Sequence, residues 1–151
     1  MDIRARLITK ADLPSLAELW IASWQEEMPA IDFTKRRQWF LDRLEGLEAA
    51  GSIAMCAIDP SGLVLGFFSI DPSTAYLDQL AVAPRAKGSG VASFLLSEAG
   101  KVSPRGIILD VNADNARALA FYERQGFVRI GEGVNPFSGL KTLRLRRPGQ
   151  A

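Results

Sequence analysis

A loop with two glycines is the part of the sequence best suited to bind an anion. Pro84 to Ala92, with the sequence PRAKGSGVA, joins an apolar strand pattern to an apolar helix pattern. Glycine allows backbone N–H groups to turn inward, and a helix start adds free N–H groups and a positive dipole end. This combination suits a diphosphate, and Arg85 and Lys87 can add charge. Taken alone, the loop is equally compatible with a flexible turn.

Two nucleotide-binding motifs fit this loop poorly. A P-loop needs Gly-Lys followed by Ser or Thr, and the loop has no such triplet. The loop has two of the three glycines of a dinucleotide-binding fingerprint, and Asp110 lies about 20 residues downstream. Ser93 stands where the third glycine is needed, and four residues separate Ala83 from Gly88. The tight turn from strand to glycine is therefore missing, which disfavours this interpretation.

The composition excludes several kinds of chemistry. The chain of 151 residues has no histidine, which excludes a Ser-His-Asp hydrolase and a histidine zinc site. Acid–base chemistry must use Asp, Glu, Tyr, Lys or water, and we expect no metal. A net charge of +1 gives no general attraction to nucleic acid. No apolar run approaches the ~20 residues of a membrane helix, and the sequence has no signal-peptide pattern. The single cysteine, Cys56, cannot form an internal disulfide, which suits a reducing compartment. We therefore expect a cytoplasmic protein without membrane association.

Hydrophobic periodicity predicts the elements that must position this loop. The predicted order is β-α-α-β-β-β-α-β-α-β-β within a single domain, residues 1–151. An early hairpin followed by helical crossovers indicates an α/β fold with a mixed sheet and helices on both faces. The predicted strands are 3–9, 53–58, 63–70, 76–82, 106–111, 127–131 and 140–146, and the later helices are 34–50, 92–101 and 115–125.

Two segments carry a recognisable pattern. In the first, the strand Leu77 to Val82 is followed by Pro84 and then by either Arg85-x-x-Gly88-x-Gly90 or Lys87-x-x-Gly90-x-Ala92. The family resemblance that these segments carry favours the second register, because the family's spacing from Pro84 is then matched and Leu95 and Leu96 stand at its helical leucine pair. In the second segment, Asn115-x-x-Ala118 precedes Tyr122-x-x-x-Gly126-Phe127. Seven residues, two helical turns, place Asn115 and Tyr122 on one face.

From Tyr76 to Phe127 the chain resembles the GNAT superfamily of N-acetyltransferases. The resemblance implies a mostly antiparallel sheet splayed between its fourth and fifth strands, with the pantetheine arm of acetyl-CoA in the gap. It also implies that strand amides pair with pantetheine, that N–H groups of the glycine loop hold the diphosphate, and that Asn115 binds the pantetheine arm. The implied cofactor-binding residues are Leu80, Ala81, Val82, Lys87, Gly88, Ser89, Gly90, Val91, Ala92, Ser93 and Asn115.

The resemblance also implies roles in transfer of an acetyl group to an amine by direct attack. Tyr122 would be the general acid that protonates the departing thiolate, and the N–H of Val82 would meet the oxyanion. The base stays open between Asp78, Asp110 and a chain of water molecules. The acidic side chains of the segment between the first two helices, Glu26, Glu27 and Asp32, are further candidates for the acceptor wall, as are the aromatic side chains Trp20, Trp24, Phe33 and Trp39.

The acceptor cannot be named from sequence. We expect a small-molecule primary amine, and homodimer formation stays open. One alternative is an acyl-CoA-binding module without catalysis, which would bind the cofactor without turnover. Another is an acetyltransferase that modifies protein N-termini or lysines.

Overall fold

The computed structural model of the protein describes residues 2–149, and the predicted order of elements is confirmed. Most boundaries lie within two residues of the prediction. None of the helices described is long and apolar enough to cross a membrane. The strands are β1 (Arg4–Leu7), β2 (Ile53–Ile58), β3 (Val64–Asp71), β4 (Tyr76–Val82), β5 (Gly106–Asn112), β6 (Val128–Val134) and β7 (Lys141–Pro148), and the helices are α1 (Leu13–Glu27), α2 (Arg37–Ala49), α3 (Val91–Val102) and α4 (Ala116–Arg124).

The seven strands form one mixed sheet in the order β1-β2-β3-β4-β5-β7-β6. Only β4 and β5 run parallel; the other neighbouring pairs are antiparallel. This confirms the predicted fold class. The parallel pair is possible because α3 forms the crossover that a parallel connection requires.

The helices cover both faces of the β2–β4 region. Successive strand residues point to opposite faces, and in β3 the ring of Phe67 packs edge-on against Phe40 of α2, with centroids 5.7 Å apart. On the other face a side chain at Gly66 would lie 2.9 Å from Leu95 of α3 and 2.7 Å from the Ala81 carbonyl. Glycine at position 66 therefore lets α3 pack closely on the sheet. Cys56 is fully buried between these layers.

The second helix differs from the prediction at its start. Residues Phe33–Arg36 form a 3₁₀ turn, and the α-helix begins only at Arg37. The turn starts where the carboxylate of Asp32 accepts a hydrogen bond from the Thr34 N–H at 3.1 Å. This local cap competes with helix formation, and the α-helix starts three residues later than predicted.

Candidate active site

The sheet opens between β4 and β5. The two strands pair only at Tyr76 and Ile108. The β3–β4 register shifts so that Ser69 faces Gln79 and Ile70 faces Leu77, which leaves Asp78 as the extra residue of a β-bulge. The Gln79 side-chain amide donates to the Asp78 carboxylate at 2.9 Å, although neighbours in a regular strand point apart. A bulge bends its strand, so β4 leaves β5 at this point.

Beyond the bulge, β4 presents backbone groups to the gap. The Ala83 N–H donates to the Leu65 carbonyl at 2.8 Å, on the β3 side. In an antiparallel ladder alternate residues bond to the same neighbour, so Ala81 also faces β3. The N–H groups of Leu80 and Val82 therefore point toward the gap, where β5 offers them no pairing among the described residues.

The gap is part of a cleft of about 1020 Å³. Most of the predicted site residues line it. Ala81 is instead buried in the core, and the Ser89 hydroxyl turns back to the Ala86 carbonyl. The predicted residues that line the cleft are Asp78, Leu80, Val82, Lys87, Gly88, Gly90, Val91, Ala92, Ser93, Asp110, Asn115 and Tyr122.

The glycine loop brings the start of α3 to one end of this cleft. Gly88 and Gly90 have φ values of +79° and +88°, which residues with a side chain rarely adopt. Gly90 caps α3, and the helix begins at Val91, one residue before the predicted start. Within residues 2–149 no acceptor bonds the N–H groups of Gly90, Val91 or Ala92. These free donors at a helix start suit an anion.

Neither candidate cation of the loop, Arg85 or Lys87, is directed at the anion site that these donors form. Arg85 donates to the Val64 carbonyl at 2.9 Å and does not line the cleft. Lys87 lines it, but its ammonium lies 3.0 Å from Glu26 and 3.3 Å from Glu27 at the end of α1. The loop's anion site therefore consists of backbone N–H groups, with Lys87 held against the acidic end of α1.

The Tyr122 side chain reaches the cleft from α4. Burial raises the pKa of its phenol to about 12. Its hydroxyl forms no hydrogen bond with a described residue. Every fully buried side-chain oxygen or nitrogen among those residues does have a hydrogen-bond partner, so the Tyr122 hydroxyl is not fully buried. The hydroxyl is thus accessible from the cleft. Its ring packs edge-on against Phe121 and Phe127, with centroids 5.2 Å and 5.3 Å away. A fixed phenol that keeps its proton can act as a donor.

Asn115 begins α4 and has two roles available to its side chain. Its carbonyl oxygen accepts from the Ala118 N–H at 3.1 Å, which caps the helix. Its amide nitrogen donates to no described residue and lines the cleft with the rest of the side chain. At the other end of α4, the Gln125 amide donates to Ser93 at 2.9 Å and ties this helix to the start of α3.

The Asp78 carboxylate is ion-paired. Arg43 of α2 donates to it through Nη2 at 2.5 Å and through Nε at 3.2 Å. With the bond from Gln79, the two oxygens accept three hydrogen bonds, one fewer than their four lone-pair directions allow. Asp78 therefore keeps room for one further donor in the cleft. The sequence pattern did not single out Arg43.

The Asp110 carboxylate also accepts three hydrogen bonds. It accepts from the Tyr76 hydroxyl at 2.7 Å and from Arg144 at 3.0 and 3.1 Å. Burial opposes ionisation, but the bonds from Arg144 and Tyr76 outweigh it, so the pKa of Asp110 lies below its usual value. Burial and the bond to Asp110 raise the pKa of Tyr76. This network joins β4, β5 and β7 where the gap begins.

Aromatic side chains form one wall of the cleft. The predicted cluster assembles: Trp20 stacks on Phe40 at 4.8 Å and meets Phe33 edge-on at 5.8 Å, and Trp24 stacks on Phe33 at 6.0 Å. Phe137, from the β6–β7 loop, adds an edge-on contact to Trp39 at 4.8 Å. Phe137 and Arg36 were not predicted as site residues. Nothing in their local sequence could have indicated that these segments meet.

The carboxylates predicted to line this wall are engaged elsewhere. Glu26 and Glu27 share Lys87, and Asp32 caps the 3₁₀ turn. Within residues 2–149 no three side chains of the His, Cys, Asp and Glu types stand together as a metal site. The cleft thus combines free backbone donors, ion-paired carboxylates and the phenols of both tyrosines, of which only the Tyr122 hydroxyl bonds to no described residue.

Comparison with known proteins identifies the family. The family model of the acetyltransferase (GNAT) family matches residues 8–127. No curated protein sequence matches the chain.

Solved structures share the whole fold. Apo-form YjaB from Escherichia coli superposes with a TM-score of 0.74 at 23% identity, covering 99% of this chain and 100% of that chain. The ribosomal-protein-S18-alanine N-acetyltransferase from Escherichia coli gives 0.73 at 19%, covering 99% and 96%. The PaiA N-acetyltransferase from Thermoplasma acidophilum, in complex with coenzyme A, gives 0.74 at 18%, covering 98% and 99%. With the family model covering most of its length, the chain belongs to the acetyltransferase (GNAT) family.

Proposed function

We propose that the protein is an acetyl-CoA-dependent N-acetyltransferase that acts on the primary amine of a small molecule by direct attack. One observation carries the proposal: a single cleft holds the unpaired edge of β4, the free N–H groups of α3 and the accessible hydroxyl of Tyr122. These are an amide-pairing edge, an anion site and a proton donor. They match the pantetheine, diphosphate and thiolate parts of acetyl-CoA in kind.

The residues present fit this co-substrate. Leu80 and Val82 direct N–H groups into the gap, where pantetheine amides could add to β4 like a strand. Free donors at Gly90, Val91 and Ala92 suit the diphosphate. Bound acetyl-CoA would supply the activated acetyl carbonyl, and the Val82 N–H could donate to its oxygen as negative charge develops.

Proton transfer defines the remaining roles. A lysine-like amine has a pKa of about 10.4 and enters protonated, so its proton must leave before attack. The hydrogen bonds of Asp110 hold its pKa low, which makes it a weak base. We assign the proton to Asp78, through water, because Gln79 bonds both to Asp78 and to the indole of Trp20 and so places this carboxylate beside the aromatic wall. Tyr122 then donates its proton to the leaving thiolate.

Binding and turnover test the proposal together. We expect acetyl-CoA to bind in the micromolar range by calorimetry, and a panel of small amines to release thiol from it. Absence of acetyl-CoA binding would overturn the proposal. Binding without turnover of any amine or peptide would indicate the non-catalytic module. Turnover of peptides alone would indicate an enzyme that modifies proteins.

Exchange of Asn115 for aspartate tests its contact with the co-substrate. Asn115→Asp keeps the oxygen that caps α4 but removes the amide donors, so we expect an unchanged melting temperature. Loss of one hydrogen bond should raise the KM for acetyl-CoA about 3- to 10-fold. Asn115→Ala removes cap and donors together and should also lower stability by about 1 kcal/mol. An unaltered KM in both variants would limit Asn115 to capping.

A further inference from the structure

One cation on the aromatic wall has no opposite charge. The charged side chains that α1, α2, the 3₁₀ turn and β4 contribute to the cleft are Glu27, Arg36, Arg43 and Asp78. Arg43 pairs with Asp78, and Glu27 lies at the Lys87 ammonium. Among residues 2–149 no carboxylate forms an ion pair with Arg36. This arginine is therefore the uncompensated charge of the wall.

The charged side chains on the neighbouring side of the cleft can be assigned in the same way. Asp110 is compensated by Arg144. Two other cleft cations without an ion pair among the described residues, Arg117 and Arg124, belong to α4. Arg124 adjoins Gln125, which bonds to Ser93 at the start of α3. These cations stand on the helix of Asn115 and Tyr122, on the co-substrate side, whereas Arg36 stands among the aromatic rings.

The guanidinium of Arg36 is oriented by two of these rings. Its Cζ lies 4.5 Å from the centroid of Phe137 and 5.8 Å from that of Phe33. Aromatic contact uses the face of a guanidinium, whereas its N–H donors point outward from its edge in a fixed planar fork. None of these donors bonds to a described residue. The edge is thus positioned for a planar acceptor with two oxygens.

The surroundings of this edge are apolar. Trp24, Phe33, Trp39 and Phe137 all line the cleft beside Arg36. An occupant must therefore combine an apolar body with an anionic group. A carboxylate fits best, because it meets a guanidinium through two parallel hydrogen bonds.

We infer that the acceptor is an amino-acid-like molecule: its carboxylate binds Arg36, its apolar side group packs on the aromatic wall, and its primary amine is the group acetylated. The role of the amine rests on the proposed function. The carboxylate site rests on the wall alone. A second cationic group on the acceptor would find no free counter-ion here, since Asp78 and Glu27, the carboxylates that this wall contributes to the cleft, already pair with Arg43 and Lys87.

Matched acceptors test this inference. L-Phenylalanine, L-phenylalaninamide and 2-phenylethylamine share a ring and an amine, but only the first has a carboxylate. We expect kcat/KM for L-phenylalanine to exceed that for the other two by about 10-fold or more. Arg36→Gln should remove this preference by raising the KM for L-phenylalanine about 10- to 100-fold, with little change in kcat. Its kinetics with the two analogues that lack a carboxylate should change little.

Arg37→Gln is the matched control. Arg37 is the next residue, pairs with Glu18 on the surface and does not line the cleft, so we expect wild-type kinetics with all three acceptors. Equal use of the three acceptors by the wild type would overturn the inference and leave the transferase intact. An equal loss for all three acceptors in Arg36→Gln would also overturn it.

A binding measurement makes the inference independent of turnover. 3-Phenylpropionate has the ring and the carboxylate but no amine, and its binding can be followed by the fluorescence of the wall tryptophans. We expect millimolar or tighter binding to the wild type and to Arg37→Gln, and about 10-fold weaker binding to Arg36→Gln. Equal binding to both arginine variants, or none to the wild type, would overturn the inference. Arg36-dependent binding in a protein that acetylates no amine would instead uphold the carboxylate site and overturn the proposed function.

Discussion

Tyr122→Phe is expected to lower kcat by about 100-fold or more while the KM for acetyl-CoA changes little. The substitution removes one oxygen and its proton and keeps the ring that packs between Phe121 and Phe127. Since the hydroxyl bonds to no described residue, its loss breaks no contact that holds the fold. Steady-state kinetics with a fixed amine acceptor measure the effect. An unchanged kcat would remove Tyr122 from the mechanism.

The pH dependence sharpens this prediction. Burial raises the pKa of Tyr122 to about 12, so the phenol stays protonated in the folded protein well above neutrality. An acid is active below its pKa, and the alkaline loss due to Tyr122 should therefore begin only near that value. Over about pH 6 to 10, which ends near the pKa of a free phenol, the ratio of wild-type to Tyr122→Phe kcat should be constant. A ratio that falls toward 1 in that range would contradict a raised pKa.

The other tyrosine of the chain provides the control. Tyr76 also lines the cleft, but its hydroxyl donates to Asp110 at 2.7 Å. Tyr76→Phe should cost about 1 kcal/mol of unfolding free energy because Asp110 loses a donor. We expect its kcat to stay within about 10-fold of the wild type, against the larger loss assigned to a general acid. An equal loss of kcat in both variants would mean that removing either tyrosine hydroxyl from the cleft impairs activity. Tyr122 would then have no specific role as the acid.

The order of elements was predictable because each element carries its own local signal. Apolar periodicity marks the helices, and glycine or proline marks most of their ends. The loop at Gly88 and Gly90 could be located for the same reason, although taken alone it was equally compatible with a flexible turn. Local signals alone did not settle which of the two motif registers applies, the one that begins at Arg85 or the one that begins at Lys87. Whether Lys87 faces the loop or Glu26 depends on how α1 packs, which no local pattern encodes.

The environment of the candidate base was beyond a local pattern. Strict alternation predicts that Tyr76 and Asp78 share a face, and both do line the cleft. The bulge at Asp78 was not visible, because a bulge depends on the register with β3. Arg43, which pairs with Asp78, lies 35 residues earlier in the chain. The chemistry of a carboxylate depends on such partners, so Asp78 could be named as a candidate from the sequence, but its hydrogen-bonded state could not be predicted.

The acceptor wall shows the same limit more strongly. Arg36 and Phe137 belong to opposite ends of the chain and meet because the β6–β7 loop reaches α2. From the sequence alone, Glu26, Glu27 and Asp32 were candidates for this wall, and the acceptor stayed open. Pairing within the fold leaves an arginine instead. Charge at a site is decided by which groups remain unpaired after folding, and that information is non-local.

Gly90→Val is expected to weaken acetyl-CoA binding about 10-fold or more, through the backbone rather than through a lost side chain. Gly90 has φ +88°, and a side chain there would meet no atom within 4 Å. The conformation, and not crowding, therefore requires glycine. Valine strains this backbone by about 1 to 3 kcal/mol. Relaxing the strain turns the first N–H groups of α3 away from the anion site.

Gly62→Val separates this effect from lost stability. Gly62, in the β2–β3 turn, has the same φ of +88° and equally open surroundings, but it does not line the cleft. Both variants should lose similar unfolding free energy, measured by thermal melting, because the backbone strain is the same. Only Gly90→Val should lose affinity for acetyl-CoA in a calorimetric titration. An equal loss in both would assign the effect to general destabilisation. The substitution removes no side chain from the loop, so a loss of affinity would have to come from the backbone. Wild-type affinity in Gly90→Val would show that the α3 N–H groups do not hold the diphosphate.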